Sequence, residues 1–350
     1  MAQKESIQSL PPALANKPFH LEYNLLPVQP HGNNLSIISY LHRYQPKQTL
    51  IEIEQWLNEQ QLHLDTNPAK ATDMLGSAKL LSIELTGHYE QEVNTQWQIL
   101  WQNDDIIAAF KPAPLAVSRT TRNLYNTLIS LVRRQSAHSQ AQLLHRLDIE
   151  TSGVILIAKN QQSDSTWKPK LKQLIEKKVY HAIVKGQPQW QQLMCENQLA
   201  ERIDSDIRCK MYVVDPKEPI EHYRKPKDCK TLFSLIKSQG EYSLIECQLL
   251  TGRKHQIRAQ LAGLDLPIVG DKIYSHDGHF FLKRLKLEHG LNDADYCALG
   301  ARNHLLRAVS LTIRPVENEP AVTIDSASFE QDLALNLYQP AGLKDEKNTD

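Results

Sequence analysis

Residues 143–160 of the 350-residue chain read LLHRLDIETSGVILIAKN, a charged turn followed by an apolar run. The turn brings an imidazole, a guanidinium and a carboxylate close together in the residues His145, Arg146 and Asp148. The run 154–158 is apolar and rich in β-branched residues, which predicts a buried strand. A turn can be built from uncharged residues, so the charged cluster at the start of this strand needs an explanation.

The carboxylate of Asp148 has two interpretations from the residue types alone. In the structural one, it caps a turn or pairs with an arginine, Arg146 or Arg258, in an ordinary salt bridge. In the chemical one, the arginine keeps a partly buried carboxylate ionised, and that carboxylate acts as a nucleophile or a proton acceptor. The chain shows no P-loop, nucleophile elbow, dinucleotide-binding glycine motif or metal motif that would suggest another chemistry.

The composition is that of a globular protein, with 41% hydrophobic and 23% charged residues. No apolar run reaches the length that spans a bilayer, so we expect no membrane association. The cysteines lack C-x-x-C pairing, which predicts reduced thiols in a cytoplasmic protein and argues against a zinc ribbon. There are five of them: Cys195, Cys209, Cys229, Cys247 and Cys297.

Charge is unevenly distributed, although the formal net charge is zero. Residues 101–290 hold 29 Lys and Arg against 20 Asp and Glu. Residues 1–100 hold 6 against 10, and residues 291–350 hold 5 against 10. A basic field of this kind suits an anionic partner, and it equally suits a lysine-rich solvated surface.

Helix and strand patterns are mixed without βαβ regularity, which predicts an α+β fold. A hairpin is expected to turn at Gln239-Gly240, and a helix is expected to begin near His255. The segment HLLRAVSLTIRPV predicts the final strand. Residues 187–230 are interpreted as a polar, proline-containing excursion.

The pattern from residue 34 to residue 95 predicts a small separate unit in the order helix, helix, strand, polar insert, strand. Thr49 is the expected N-cap of the second helix, with Ile51 on its apolar face. This order resembles the αL-type RNA-binding module that also occurs in a ribosomal small-subunit protein. An accessory domain without RNA contact is the alternative. The basic residues available to RNA are His42, Arg43 and Lys47, and the acidic residues of the second helix are Glu52, Glu54 and Glu59.

Four motifs in order resemble the RluA-type family of pseudouridine synthases. The stretch HRLDIETSGVILIAK at 145–159 is similar to the family signature H-R-L-D-x-x-T-S-G-x-x-x-x-A-K. KKVYHAIVKG at 177–186 resembles the K-x-Y-x-A-x-V-x-G element. The third element, TGRKHQIRAQLAGLDLPIVGDKIY at 251–274, contains T-G-R-x-H-Q-I-R and ends in G-D-x-x-Y, and FKP at 110–112 resembles the strand-end Lys-Pro.

The resemblance implies a pseudouridine synthase catalytic fold with a mixed, mostly antiparallel central sheet, plus a small N-terminal α/β module. Asp148 would then be the catalytic aspartate that breaks the N-glycosidic bond of a uridine in RNA, so that the uracil rejoins the ribose through carbon. Attack on the ribose, addition to the uracil ring and a glycal-like intermediate all stay open. Tyr180 would lie against the uracil, and Arg258 or Arg253 would hold Asp148. We favour Arg258 for that role.

The resemblance also implies a set of RNA-binding residues. Arg146 would fill the gap left by a flipped nucleotide, because a base must leave the stack to be worked on. Lys111 would be a structural or backbone-contacting residue. The other expected RNA-binding residues are His145, Thr151, Lys178, Lys254 and His255.

The expected partner is ribosomal RNA in preference to transfer RNA, the protein is expected to be a monomer, and neither a metal nor an organic cofactor is implied. A catalytically silent RNA-binding or RNA-folding protein on the same scaffold is the alternative function. A hydrolase that uses Asp148 on another glycosidic bond is a further rival. We expect four parts: an arm at 1–33, the small module at 34–95, the catalytic domain at 96–325 and a tail at 326–350.

Two short segments depart from the family pattern. The last strand reads Leu306-Arg307-Ala308 where the family usually carries Leu-His-Ala, and Ala259-Gln260 stands in place of the commoner Val-His. Both departures lie outside the central chemistry. We therefore expect altered packing or RNA contact at these positions, with the activity kept.

Overall fold

The computed structural model describes residues 19–24, 35–44, 49–65, 67–76, 80–85, 93–120, 123, 126–287, 290–315 and 319–340. The chain divides into two compact units, one of residues 1–92 with 119–127 and the other of residues 93–118 with 128–350. Lys47, the side chains of His42 and Arg43, and the end of the predicted tail, 341–350, lie outside the described residues.

The described residues of the first unit form two helices and a four-stranded antiparallel sheet in the order β1-β4-β2-β3. Its helices are α1 (Ile37–Tyr44) and α2 (Leu50–Asn58), and its strands are β1 (Phe19–Asn24), β2 (Leu62–Leu64), β3 (Asn67–Pro68) and β4 (Leu80–Leu85). Thr49 caps α2 as predicted, in a reciprocal capping box with Glu52. The prediction for Ile51 was wrong: its side chain is 77% exposed, and Ile53 is buried in its place.

Strand β1 falls within residues 1–33, which the sequence suggested were an arm. Its six residues pair with β4 along their whole length, from Phe19 opposite Leu85 to Asn24 opposite Leu80. This part of the arm is therefore a sheet strand. The sequence did not predict this strand, because the residues around it are polar and include prolines. A strand at the edge of a sheet pairs on only one side, so it can form in such surroundings.

The second unit is built on an eleven-stranded sheet in the order β11-β10-β12-β13-β9-β14-β8-β6-β5, with β15 on β14 and β7 on β8. The strands are β5 (Gln98–Gln102), β6 (Ile106–Lys111), β7 (Gln142–Leu143), β8 (Ser152–Ala158), β9 (Ile175–Lys185), β10 (Gln192–Arg202), β11 (Tyr212–Val213), β12 (Tyr223–Gln239), β13 (Tyr242–Leu249), β14 (Leu306–Ile313) and β15 (Val322–Asp325). Among the described strands, β14 and β8 run parallel and the other pairs run antiparallel. The predicted mixed, mostly antiparallel sheet is confirmed.

The helices of this unit are short and join the strands. They are α3 (Leu128–Gln135), α4 (Gln161–Trp167), α5 (Leu171–Leu174), α6 (Gln256–Gly263), α7 (His279–Lys286) and α8 (Asp293–Leu299). In the part of the chain that the structure describes, three 3₁₀ helices span Ile220–His222, His276–Gly278 and Leu333–Asn336. Within the described ranges no helix combines the length and the apolar character needed to cross a membrane.

Strand β8 lies inside the sheet and is buried on both faces, as its sequence predicted. All seven of its residues are buried. Ile155 and Ile157 belong to one hydrophobic cluster, and Val154 and Leu156 belong to another on the opposite face. This placement fixes the loop that precedes β8 against the core.

Gly153 is required where β8 meets β14. Its φ is +112°, and a Cβ atom at this position would lie 2.1 Å from the carbonyl oxygen of Ala308. The parallel pairing of Ser152 with Arg307 and of Gly153 with Ala308 therefore depends on the absence of a side chain.

The prediction for residues 187–230 was wrong, since this segment contains β10 and the first part of β12. Cys195 and Leu199 of β10 are buried, while charged residues of the two strands pair across the exposed face. Lys230 lies 2.5 Å from Glu196, directly opposite in the register. These cross-strand charges masked the apolar alternation that identifies a strand.

Residues 326–340 also differ from the expected tail, because they pack on the sheet. Phe329 and Leu333 are buried against Ile183 and Leu244. Arg307, the departure from the family's histidine, donates to the carbonyl oxygens of Ala327 and Ser328 and anchors this segment. Arg307 therefore has a packing role in this chain, and the expected change relative to the family stays a prediction.

The second departure is also structural. The side chain of Gln260 is buried and its amide nitrogen donates to Asn197, while its amide oxygen accepts from Thr231 at 2.6 Å. Gln260 therefore ties α6 to strands β10 and β12 through hydrogen bonds.

Candidate active site

The carboxylate of Asp148 lies in the loop between β7 and β8, directly after Leu147, which is buried in the core. Its side chain is 32% exposed. The Oδ2 atom accepts a hydrogen bond of 2.8 Å from Nη1 of Arg258. The Oδ1 atom has no hydrogen-bond partner among the residues that the structure describes. The described residues thus hold the two carboxylate oxygens differently.

Arg258 lies on α6 and joins two carboxylates. Its side chain is only 6% exposed. Nε and Nη2 donate to the two oxygens of Asp271 at 2.6 and 2.9 Å, and Nη1 remains for Asp148. The planar guanidinium is therefore oriented by one carboxylate while it orients the other.

Asp271 is the buried anchor of this arrangement. Its Oδ1 accepts from the backbone amides of Ile273 and Tyr274 at 3.0 and 3.1 Å. Burial opposes its ionisation, but the charge and hydrogen bonds of Arg258, together with His304 and the Ile273 amide, outweigh burial and hold the pKa of Asp271 well below its usual value. Gly270 before it has a φ of +80°, and a Cβ atom there would lie 2.4 Å from the carbonyl oxygen of Asn303.

Asp148 is also held ionised. Burial acts to raise its pKa, but the charge and hydrogen bond of Arg258, together with the charges of His255 and His304, outweigh burial, so the pKa of Asp148 lies below the usual value. Arg253, the other arginine considered, is exposed and its Nε donates to the carbonyl oxygen of Asp228 at 2.9 Å. The arginine that contacts Asp148 is therefore Arg258.

Lys111 supports the Asp148 loop from inside the protein. Its side chain is fully buried, and Nζ donates to the carbonyl oxygens of Pro112, Leu115 and Ile149 at 3.0, 2.8 and 3.1 Å. Burial lowers its pKa to about 7, against the charges of Asp148 and Glu150. This geometry suits the structural role expected of Lys111. It corrects the expectation of RNA contact, because the ammonium group is enclosed by protein.

Glu150 is surrounded by cations and by the histidine His304. Lys272 binds both carboxylate oxygens at 2.9 and 3.0 Å, and Nη1 of Arg284 lies 3.4 Å away. The backbone amide of His304 donates to Glu150, and the His304 ring is hydrogen-bonded to Thr151 at 2.8 Å. Thr151, expected to bind RNA, is buried and instead belongs to this internal network.

The remaining predicted RNA-binding residues divide by exposure. Arg146 and Lys254 are exposed. His145 accepts a hydrogen bond of 3.0 Å from the backbone amide of Leu156, and burial lowers its pKa to about 3, so it is a neutral ring tied to β8. Lys178 is half-buried, and burial lowers its pKa.

Tyr180 lies in the middle of β9, opposite Cys247 of β13 and Ala308 of β14. Its side chain is buried in the same cluster as Leu147. Burial, followed by the negative charge of Asp148, raises the pKa of Tyr180 far above its usual value. The phenol is therefore neutral and is available as a hydrogen-bond donor.

The sequence reasoning missed most of the supporting residues. Asp271 and Tyr274 lie inside the quoted G-D-x-x-Y ending, and Glu150 lies inside the quoted loop, yet none was assigned a role. Two local signals were present: the Glu150 carboxylate lies two positions after the candidate catalytic Asp148, and the Asp271 carboxylate follows a glycine. Lys272 and His304 carried no local signal, because their partner Glu150 is more than one hundred residues away.

Comparison with known proteins shows which family this sequence is similar to. The sequence model for RNA pseudouridylate synthase matches residues 105–263. Ribosomal large subunit pseudouridine synthase D of Xanthomonas campestris is 27% identical over 287 residues, which are 79% of this chain and 80% of that protein. The dual-specificity RNA pseudouridine synthase RluA of Vibrio parahaemolyticus is 26% identical over 230 residues, 63% of this chain and 85% of that protein. The chain belongs to the RluA-type family of pseudouridine synthases.

Two further proteins are similar to only part of this chain. A tRNA pseudouridine(31) synthase of Saccharomyces cerevisiae is 30% identical over 200 residues, 54% of this chain and 49% of that protein. The structure of human RNA pseudouridylate synthase domain containing 1 superposes with a TM-score of 0.54 and 19% identity, over 72% of this chain and 94% of that one. That likeness concerns the fold. Members of the RluA-type family are isomerases that act on RNA, so the predicted family, fold and enzyme class are confirmed.

Proposed function

We propose that this RluA-type protein converts specific uridines of structured RNA to pseudouridine, with Asp148 as the catalytic group. The observation that carries the proposal is the asymmetric carboxylate of Asp148. Arg258 holds its Oδ2 atom, and its Oδ1 atom faces no protein donor among the described residues. An ionised carboxylate with one oriented and one open oxygen suits attack on carbon or acceptance of a proton.

The reaction is an isomerisation without net gain or loss of atoms. The bond between the ribose anomeric carbon and uracil N1 breaks, and a bond from the same carbon to uracil C5 forms. C5 loses a proton and N1 gains one. Asp148 serves as the nucleophile when it attacks the ribose or the uracil ring, and as a proton acceptor on the glycal-like route.

Tyr180 is proposed to contact the uracil during this exchange. Its neutral phenol donates a hydrogen bond and offers an aromatic face, and its position on β9 is fixed by strands on both sides. Because its pKa is raised, Tyr180 keeps its proton at neutral pH, so it donates a hydrogen bond and does not serve as a base.

RNA is proposed to bind across the basic surface next to the Asp148 loop. Arg146 is exposed there and is available to fill the space that a flipped nucleotide leaves. Half-buried Lys178 lies close enough for its charge to lower the pKa of His145. Phosphate contacts from such cations make affinity depend on salt. Further cations of the same stretch are Lys168, Lys170, Lys172 and Lys177.

We place ribosomal RNA before transfer RNA as the substrate, because the relative with 79% coverage of this chain is named for the large ribosomal subunit. The first unit is proposed to be an accessory RNA-binding module. Five free cysteines suit a reducing compartment, which supports the proposed cytoplasmic location. A monomer is proposed as the active form.

The decisive experiment is a pseudouridine map of cellular RNA. Cells lacking the protein are compared with cells complemented by the wild type or by Asp148→Asn, and modified sites are read as carbodiimide-induced reverse-transcription stops. We expect one or a few stops to vanish in the deletion, to return with the wild type and to stay absent with Asp148→Asn.

The matched control is Asp164→Asn, which changes an aspartate of α4 that pairs with Lys168 at 3.1 Å. It should restore the stops. An unchanged map in the deletion, or restoration by Asp148→Asn, would refute the proposal and favour a silent RNA-binding protein. Release of free base from RNA by the purified protein would point to a hydrolase.

A further inference from the structure

A chain of polar contacts runs from the backbone to Asp148 through Tyr274 and His255. The backbone amide of Met211 donates to Oη of Tyr274 at 2.8 Å. The same hydroxyl lies 3.0 Å from Nδ1 of His255. The other ring nitrogen of His255, Nε2, lies 3.7 Å from Oδ2 of Asp148. The sequence suggested RNA contact for His255. Its side chain is only 10% exposed, however, and its two ring nitrogens lie next to Tyr274 and Asp148.

The direction of the hydrogen bonds follows from the single proton of the tyrosine hydroxyl. Tyr274 is buried, and its oxygen already accepts from Met211. If Nδ1 of His255 carried a proton, the hydroxyl would accept twice, and its own proton would have no acceptor among the described residues. An unmade hydrogen bond of a buried donor is costly. The hydroxyl therefore donates to Nδ1, which leaves the ring proton on Nε2.

The contact with Asp148 selects the same tautomer. With the proton on Nδ1, the lone pair of Nε2 would face the negatively charged Oδ2 at 3.7 Å. With the proton on Nε2, an N–H dipole faces that oxygen, which is favourable. Two independent neighbours of the ring thus require one arrangement.

A doubly protonated ring is disfavoured by the surroundings. Burial, followed by the charge of Arg258, lowers the pKa of His255 to about 4. Asp148 and Asp271 act in the opposite direction, and Lys254 adds to the lowering. The imidazole is therefore neutral at physiological pH and has one N–H group to place.

We propose that His255 is a positioning residue for Asp148, locked in its Nε2–H tautomer by Tyr274 and the Met211 amide. Together, Nε2–H and the Arg258 guanidinium keep Oδ2 turned toward the protein, so that Oδ1 is the oxygen presented to the uridine. The separation of 3.7 Å shortens to a hydrogen bond in the RNA complex, as contacts of free enzymes commonly do. This role rests on the proposed function.

The backbone of His255 supports this assignment. It is the residue before the first turn of α6 and adopts a left-handed conformation with a φ of 56°. This conformation is uncommon for a residue other than glycine, and histidine is among the residues that adopt it more readily. The strained backbone aims the ring at Asp148 while α6 carries Arg258 into the same site.

The tautomer is tested directly by nitrogen-15 NMR of the histidine rings in the full-length protein. We expect the His255 signal, assigned by comparison with His255→Gln, to show a protonated Nε2 and a bare Nδ1. Tyr274→Phe should convert this signal to a mixture of the two tautomers. It should also lower the single-turnover rate on RNA about tenfold, or roughly 1.4 kcal/mol, with unchanged RNA affinity.

A matched pair of substitutions tests the role independently of the tyrosine. The amide of His255→Gln reaches about as far as Nε2, whereas the amide of His255→Asn reaches only about as far as Nδ1. We expect the single-turnover rate to fall about threefold in His255→Gln and about thirtyfold in His255→Asn, with circular dichroism spectra unchanged.

The outcomes separate this inference from the function on which it rests. A wild-type ring protonated on Nδ1, an unchanged tautomer in Tyr274→Phe, or equal rates for the glutamine and asparagine variants would overturn it. A wild-type protein with the expected NMR signal but no pseudouridine formed on any cellular RNA would overturn the proposed function and, with it, the positioning role.

Discussion

Asp148 and Glu150 are two carboxylates of one loop with a single residue between them, yet their surroundings differ. The Asp148 side chain is 32% exposed and accepts one hydrogen bond, from Arg258. The Glu150 side chain is 14% exposed and contacts Lys272, Arg284 and the backbone of His304. The first has an open oxygen, and the second has both oxygens bound.

Charge does not separate the two. For each carboxylate burial acts to raise the pKa, but the surrounding charges and hydrogen bonds together lower it by more, led by Arg258 for Asp148 and by Lys272 for Glu150. Both are therefore ionised at neutral pH. The difference that matters for chemistry is the number of lone pairs left free, because only an oxygen without a protein donor can act on a substrate.

The largest expected effect is on catalysis. Asp148→Asn should lower the single-turnover rate of pseudouridine formation by about 10²–10⁴-fold, since it removes the charge and basicity of the open oxygen. Glu150→Gln should lower it by less than about tenfold. Both rates are measured on the RNA named by the pseudouridine map. Equal losses in the two variants would show that the free oxygen is not what distinguishes these carboxylates.

The next effect is on stability and has the opposite order. Glu150→Gln leaves the Lys272 ammonium in a nearly buried site without its ionic partner, so the free energy of unfolding should fall by about 3 kcal/mol. Asp148→Asn should change it by less than about 1 kcal/mol, because the side chain is partly solvated and Arg258 keeps Asp271. Urea denaturation followed by tryptophan fluorescence measures both, and a reversed order would contradict the assignment.

The contribution of Lys111 to the free energy of unfolding is expected to depend on pH. The pKa of Lys111 falls from 10.5 to about 7 on folding, so between these values the unfolded chain binds more protons, and stability rises with pH. Between pH 7 and pH 9, the free energy of unfolding of the wild type should rise by about 2 kcal/mol relative to that of Lys111→Met. Unfolding free energies of the two proteins are compared at both pH values. A constant difference would mean that Lys111 stays fully charged in the fold.

The smallest effect concerns Arg146, which lies two residues before Asp148 and is exposed, whereas Arg258 is buried. Arg146→Ala should weaken RNA binding by about 1 kcal/mol and reduce the slope of log affinity against log salt by about one unit. Lys185→Ala, which removes an ammonium paired with Glu241 at 3.3 Å, is the control and should leave the slope unchanged. Filter binding at several salt concentrations measures both.

The sequence located the loop, the buried strand after it and the carboxylate because these features are local. Asp148 stands next to an apolar run, and the helix that carries Arg258 begins where the T-G-R-x-H-Q-I-R motif predicts it. The strands of residues 187–230 were not recognised, since paired charges such as Lys230 and Glu196 occupy their outer face.

The sequence could not predict that Asp148 has a carboxylate oxygen without a protein donor while both oxygens of Glu150 are bound, and the reason is different. Whether an oxygen is free depends on groups that arrive from distant segments. Lys272 reaches Glu150 across 122 positions, and Arg258 reaches Asp148 across 110. The hydrogen-bond direction at His255 likewise depends on Met211 and Tyr274, which are distant from it in sequence.

Gly153 affects which substitutions residues 145–155 tolerate. A Cβ atom there meets the backbone of β14 at 2.1 Å, so every alternative residue separates two strands that share only two paired positions. In a saturation library of residues 145–155, a screen for soluble expression alone should deplete position 153 of nearly all substitutions. The same screen should leave Asp148 broadly permissive until activity is also required. Gly153 at the start of β8 is thus constrained by the assembly of the sheet, whereas Asp148, five residues before it in the loop, is constrained only by its role in activity.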